Sequence, residues 1–454
     1  MKSNEGGFWT ITLFAANEIP SAVVTFVALI MFLQMNIGVA LSTLFAAILL
    51  LPWVAQPFMR RLLPGMGGDR WWLHLIEIIL AGTMALFALT LRNGMWWTML
   101  MLAWISTLSA WHDIMAKHYF MRRTMMAQET HHLVLRALSS QMATVLTYGL
   151  MIMAVGVLQI YFRQRSQTYS WALGYYILAG AYMLMTLMNM LLLRNAGNTE
   201  ITTTRQWPWQ QKRWKEHLIM LLLMLMPQGL MFYSRTVFLL AQPQEGGLGC
   251  TLQEVGFAHG TIGVIAFLTG VALGKGILNK WGENRTKWPL TICLGLSPAV
   301  YLTMTHCKPE GVWMLSAYTL MAQLLFGIGL NACRRYIENL SGERYRNSVN
   351  PLYIPAISLC IVLPMALSGF LLERLDFKLF FMLDTLCAPI TWVAILCLTN
   401  MHKILQHKDD RRLKDKSQGK GGGKNMIFDE NLDKDTLPLQ KQKEGEQRFP
   451  AWHK

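Results

Sequence analysis

The sequence predicts an all-α membrane protein with twelve transmembrane helices in two six-helix bundles. Three observations lead there. Of the 454 residues, 53% are hydrophobic and only 15% charged, whereas a soluble domain carries about 25% charged residues. Residues 402–454 hold 22 of the 67 charged side chains, which leaves the rest too few to cover a soluble surface. The apolar residues also gather in runs of about 20, the length that crosses the hydrocarbon core. A cytosolic enzyme, a disordered chain and a secreted disulfide scaffold are excluded.

The runs are 8–34, 38–59, 72–92, 95–116, 133–160, 170–193, 217–241, 252–276, 288–306, 311–333, 351–373 and 378–401. The first is too long for a cleaved signal peptide and carries Glu18 and Pro20 at its centre. The longest polar break inside the membrane region, 194–216, follows the sixth run. It divides the chain into a bundle over 1–193, a linker over 194–216 and a bundle over 217–401. Similar halves of this kind are typical of secondary transporters built from repeats. The segment 402–454 mixes Lys and Asp, contains the run Gly419–Lys424 and lacks a hydrophobic period, so it is expected to be a disordered cytoplasmic tail.

Lys and Arg placement gives the orientation. With a cytoplasmic N-terminus, the inside segments ahead of the tail hold 20 of them and the outside loops six. That bias puts both termini inside. The net charge of +15 is therefore a topology signal, and no nucleic-acid partner is expected, because the basic residues sit between apolar runs rather than in one patch. None of the seven cysteines forms a C-x-x-C pair, so no metal is expected; whether Cys250 and Cys307 meet outside the membrane is left open. The 17 tryptophans often mark run ends, as at Trp71, Trp72, Trp96, Trp97 and Trp288, the pattern of an interfacial belt.

Charged groups inside the bilayer face a cavity or a partner, because exposure to lipid costs about 2.5–3.5 kcal/mol on insertion scales. Glu18 precedes Pro20, which removes a backbone donor and loosens the ladder around it. It is a candidate to take a proton or hold a substrate group; a structural hydrogen bond is the alternative. Asp113 in the fourth run and Arg136 in the fifth lie at similar depth in an antiparallel hairpin, so an ion pair between them is expected, as a latch or a purely structural contact. Arg235 in the seventh run, with Tyr233 and Gln228, suits a carboxylate on a substrate, with snorkelling to the interface as the alternative. His259 is a candidate proton relay or a packed core histidine. Glu77 is expected at the inner interface, and Asp384 is expected to pair with an unnamed neighbour.

No nucleotide-binding, hydrolase, metalloprotease or kinase motif occurs, so neither a cofactor nor an enzymatic activity is expected. The segment Gly276–Arg285 resembles the G-x-L-x-D-R-x-G-x-[RK]-[RK] loop of the major facilitator superfamily, with Asn279 for Asp and Lys280 for Arg; a degraded copy runs over 58–65. Within that superfamily three stretches resemble the AmpG-like group of muropeptide permeases and acetyl-CoA transporters. Asn17-Glu18-Ile19-Pro20 is similar to its Q-G-[IL]-P start. Pro52–Pro57 is similar to its P-Y-x-L-K-F segment, with Gln56 where Lys is usual. Ser109–Tyr119 is similar to its A-T-Q-D-I-A-x-D-A-Y segment, where Asp113 matches the first acid and Lys117 replaces the second. The resemblance implies proton-driven import of an anhydro-muropeptide or related sugar–peptide across a bacterial inner membrane, by a monomer whose partners are its substrate, protons and lipid. The resulting candidates for proton coupling or gating are Glu18, Asp113, Arg136 and His259. Those for substrate are Arg235, Tyr233, Gln228 and Gln56. A facilitator-type exporter of drugs or small metabolites and a non-transporting membrane sensor remain as alternatives.

Overall fold

The computed structural model describes residues 7–60, 70–124, 130–194, 214–341 and 353–393. The core of the expected linker, 195–213, and the whole expected tail, 402–454, lie outside the described residues, as does the end of the degraded loop copy from residue 61.

Among the described residues, twelve long helical segments follow one another: α1 Phe8–Gln34, α2 Val39–Met59, α3 Arg70–Asn93, α4 Met95–Thr124, α5 His131–Tyr161, α6 Gln167–Leu192, α7 Trp214–Leu240, α8 Leu252–Trp281, α9 Glu283–Cys307, α10 Val312–Ser341, α11 Tyr353–Leu372 and α12 Phe377–Leu386. All but α4 and α12 are long and apolar enough to cross a membrane. A further helical turn continues α12 over 388–393. The fold is all-α, twelve passes in two six-helix bundles, as the runs predict. Several helices extend beyond the apolar runs, α4 to Thr124 and α8 to Trp281, so Lys117 and Lys280 are helical rather than loop residues.

Burial is inverted relative to a soluble protein. Leu191 is 81% and Trp96 79% exposed, while Glu77, Gln56, His112 and Asn189 are fully buried. A lipid-facing exterior needs apolar side chains, and only the bundle interior offers polar partners. Trp71, Trp97, Trp281 and Trp313 are exposed as well, consistent with the interfacial belt.

Three helices are locally widened to π geometry, over Val23–Val27 in α1, Val145–Met151 in α5 and Gly256–Gly263 in α8. The first begins three residues after Pro20, whose missing N–H breaks the regular ladder. The other two face each other across the two halves. A Cβ on Gly260 would stand 2.4 Å from the Tyr148 carbonyl oxygen and 2.6 Å from the Gly149 Cα, so only glycine permits this approach. A second close approach joins α2 to α11: a Cβ on Gly369 would meet the Val39 carbonyl oxygen at 2.8 Å and the Ala40 Cα at 2.9 Å. There the α2 start is capped from the other half, the Ala40 N–H donating to Glu373 Oε1 at 2.8 Å.

Two results are expected from these seams. Gly260→Ala should force α5 and α8 apart at a cost of about 1–3 kcal/mol, read as faster hydrogen exchange over 145–151 and 256–263; unchanged exchange would contradict the seam. Glu373→Gln removes a carboxylate from a helix N-terminus, which is worth about 0.3–1 kcal/mol, and should lower the unfolding midpoint modestly.

Candidate functional site

The largest polar assembly lies inside the first half and is built from α1, α2, α3, α4 and α6. Its centre is Asp113 on α4. Oδ2 accepts from Lys117 Nζ at 2.5 Å and from Gln56 Nε2 at 2.9 Å, and Oδ1 accepts from Asn17 Nδ2 at 3.1 Å. Lys117 reaches Asp113 because residues four apart share a helix face. Asn17 in turn presents its Oδ1 to His112 Nδ1 at 3.1 Å, and His112 Nε2 faces Glu77 Oε1 at 3.1 Å. Asn189 Nδ2 donates to the same Glu77 oxygen at 2.7 Å, and His74 Nδ1 stands 3.7 Å from Glu77 Oε2. Glu18 lies beside the assembly, accepting from Thr144 Oγ1 at 3.5 Å.

Several expectations change here. Asp113 pairs with Lys117 rather than Arg136. The Arg136 guanidinium instead lies over the Phe14 ring at 4.6 Å and the Phe120 ring at 5.6 Å, a cation–π arrangement. Glu77 is not at an interface: α3 turns it into the bundle, where it is fully buried. Gln56, grouped with Arg235 from the sequence, belongs instead to Asp113. The two departures from the AmpG-like pattern are therefore neighbours in space. Gln56 and Lys117 hold the same carboxylate.

The second assembly spans the two halves. Phe26 on α1 stacks on Tyr148 of α5 with ring centroids 4.7 Å apart and on Phe232 of α7 at 5.5 Å. Tyr148 OH lies 3.3 Å from His259 Nδ1, and Tyr301 OH of α9 lies 2.9 Å from His259 Nε2. Arg235 packs its guanidinium over Phe232 at 4.8 Å. Only 4% of Arg235 is exposed, yet its Nε and Nη1 have no hydrogen-bond partner, and among the described residues no ion pair involves it. A buried cation with open donors, walled by aromatic rings, is chemically suited to a negatively charged organic ligand.

The remaining candidates separate. Gln228 shares a face with Arg235 two turns away, but its Nε2 donates to the Leu294 carbonyl at 2.7 Å and ties α7 to α9. Tyr233 is buried beside Phe232 with an unpartnered hydroxyl. Asp384 is 1% exposed and neither carboxylate oxygen has a hydrogen-bond partner. Cys250 and Cys307 are both free. In the superfamily-like loop the α8 helix runs through to Trp281, Gly282 turns at φ 75°, and Glu283 pairs with Arg335 Nε at 2.9 Å.

Sequence reading missed His112, Asn189, Tyr148, Tyr301 and the role of Lys117. His112 and Asn189 carried a usable signal, since an uncharged polar side chain in an apolar run also needs a partner.

No family model matches the sequence, and no curated protein matches it. Solved structures do. The nucleoside transporter NupG aligns with a TM-score of 0.60 at 13% identity, covering 88% of this chain and 99% of that chain. A mutant of NupG gives 0.61 at 11% identity, covering 86% and 99%. A bacterial homolog of the human lysosomal transporter Spinster, in an inward-facing and occupied conformation, gives 0.59 at 13% identity, covering 87% and 96%. Likeness at this level of identity shows the fold alone: the chain shares the all-α, multi-pass architecture of these transporters.

Proposed function

We propose that the chain is a secondary active transporter that imports an anhydro-muropeptide or related sugar–peptide together with protons across a bacterial inner membrane, with both termini cytoplasmic. The observation that carries the reading is the buried Asp113 carboxylate, held by Lys117, Gln56 and Asn17 from three helices of one bundle. As a carboxylate it ties α1, α2 and α4 together. Once protonated it loses the ionic attraction to Lys117, and its bonds to Gln56 and Asn17 weaken from charge-assisted to neutral ones. That is a two-state element which a proton biases directly.

The substrate side of the reading rests on Arg235. Its open donors and aromatic walls suit one carboxylate next to an apolar or planar group. A sugar–peptide carries such carboxylates, and the resemblance of Ser109–Tyr119 to the AmpG-like segment points to the same class. The bundles 1–193 and 217–401 act as the two moving halves. They meet at the glycine seams and at the Phe26–Phe232 stack, so substrate held between Arg235 and the first bundle feels both. The linker 194–216 and the tail 402–454 are read as cytoplasmic, the tail as a solubilising appendage.

Counterflow tests this without any gradient. Proteoliposomes preloaded with unlabelled anhydro-muropeptide should exchange it for labelled external compound in a saturable manner. Absence of exchange by folded, membrane-inserted protein would remove the muropeptide from the reading.

A further inference from the structure

The first bundle holds a second ionisable pair with no part in the proposal above. Glu77 and His112 are fully buried and meet at 3.1 Å. The hydrogen-bond partners limit where the protons can stand. Asp113 Oδ2 accepts from Lys117 and Gln56, and Asn17 offers its Nδ2 to Oδ1. Asn17 therefore turns its Oδ1, which can only accept, toward His112 Nδ1. On the other edge of the ring, Glu77 Oε1 already accepts from Asn189 and is itself a carboxylate oxygen. In this orientation both ring nitrogens of His112 face oxygens that can accept, an arrangement satisfied in full when each nitrogen carries a hydrogen.

We infer that Glu77 and His112 form a second proton site, and that the Asn17 side-chain amide links its occupancy to that of Asp113. If the Nδ1 proton leaves His112, that nitrogen becomes an acceptor. A half-turn of the Asn17 amide then satisfies it with Nδ2 and brings Oδ1 to Asp113, which must now donate. In net terms the N–H bond at His112 Nδ1 breaks and an O–H bond at Asp113 Oδ1 forms. Nothing is oxidised or reduced. Summed over Glu77, His112, Asp113 and Lys117 the charge is zero before and after; the transfer leaves Glu77–His112 one charge negative and Asp113–Lys117 one charge positive, so the two states differ in where buried charge stands.

The surroundings support this placement. His74 of α3 faces Glu77 at 3.7 Å, and the charge of Glu77 is felt by the buried Tyr182 of α6. Around Asp113, the charges of Glu18 on α1, Arg60 on α2, Lys117 on α4 and Arg136 on α5 are felt. His112 is thus the group with acceptors on both ring edges, and Asn17 is the positioning residue between the two sites.

The inference rests on the proton-coupled reading of the same assembly, but its test reads equilibrium protonation and can fail independently of transport. Protein labelled with ¹⁵N-histidine, in lipid nanodiscs at neutral pH, should show one histidine with both ring nitrogens protonated. That signal should vanish in His112→Gln. In Glu77→Gln it should move to a singly protonated ring, and infrared spectra should gain a carboxylic-acid C=O band that disappears in the Glu77→Gln, Asp113→Asn double variant. A singly protonated His112 in the unaltered protein overturns the inference. So does a Glu77→Gln spectrum with no histidine shift or no new carboxylic-acid band. If His112→Gln does not fold, the Glu77→Gln shift identifies the ring by itself.

Discussion

Asp113→Asn should reduce gradient-driven uptake to the level of protein-free vesicles while counterflow exchange persists. The asparagine keeps the shape of the carboxylate and one acceptor oxygen, so Gln56 and Asn17 retain a partner. It removes the charge that holds Lys117. Bonds to a charged group are worth about 1.5–3 kcal/mol each, and breaking a buried pair leaves the other charge uncompensated. The variant therefore resembles the protonated state permanently: the bonds joining α4 to α1 and α2 weaken to neutral ones, Lys117 loses its partner, and no proton can be picked up or released at this position. Exchange of substrate for substrate needs no net proton movement and should survive. Gradient-driven uptake at an unchanged rate would remove Asp113 from the coupling mechanism.

Arg235→Met should raise thermal stability and remove substrate affinity at once. Unpartnered buried donors cost about 1–3 kcal/mol each, and Arg235 has two. Methionine fills similar space beside Phe232 without that cost, and only the Tyr301 hydrogen bond is given up, so the unfolding midpoint should rise. A lost charge-assisted contact to a carboxylate should weaken binding by about 10–150-fold, the equivalent of about 1.5–3 kcal/mol. Binding followed by calorimetry and unfolding followed by fluorescence give the two numbers. A stability loss, with affinity unchanged, would make Arg235 a structural residue. The opposite signs matter, because a destabilising substitution alone explains lost binding trivially.

The fold was readable because its physics is one-dimensional. A bilayer demands runs of about 20 apolar residues, and the twelve runs match the twelve helical passes closely. Charged residues beyond a run were read as loop, yet α4 carries Lys117 onto the helix face of Asp113. The site was less legible. Depth can be inferred from position within a run, which placed Asp113 and Arg136 level with each other. Which face each side chain presents to which neighbour is a three-dimensional fact, and the aromatic rings of Phe14 and Phe120 took Arg136 instead. A position near a run end points Glu77 to the interface, whereas a buried carboxylate requires partners, and those partners, His112 and Asn189, lie 35 and 112 residues away.

Proton movement that accompanies substrate movement is the most direct test. Proteoliposomes loaded with a pH-sensitive dye, with no gradient imposed, receive external anhydro-muropeptide. The lumen should acidify as substrate enters, in the unaltered protein and not in Asp113→Asn. Entry of substrate into the lumen of vesicles carrying the unaltered protein, with no change in lumenal pH, would contradict proton coupling.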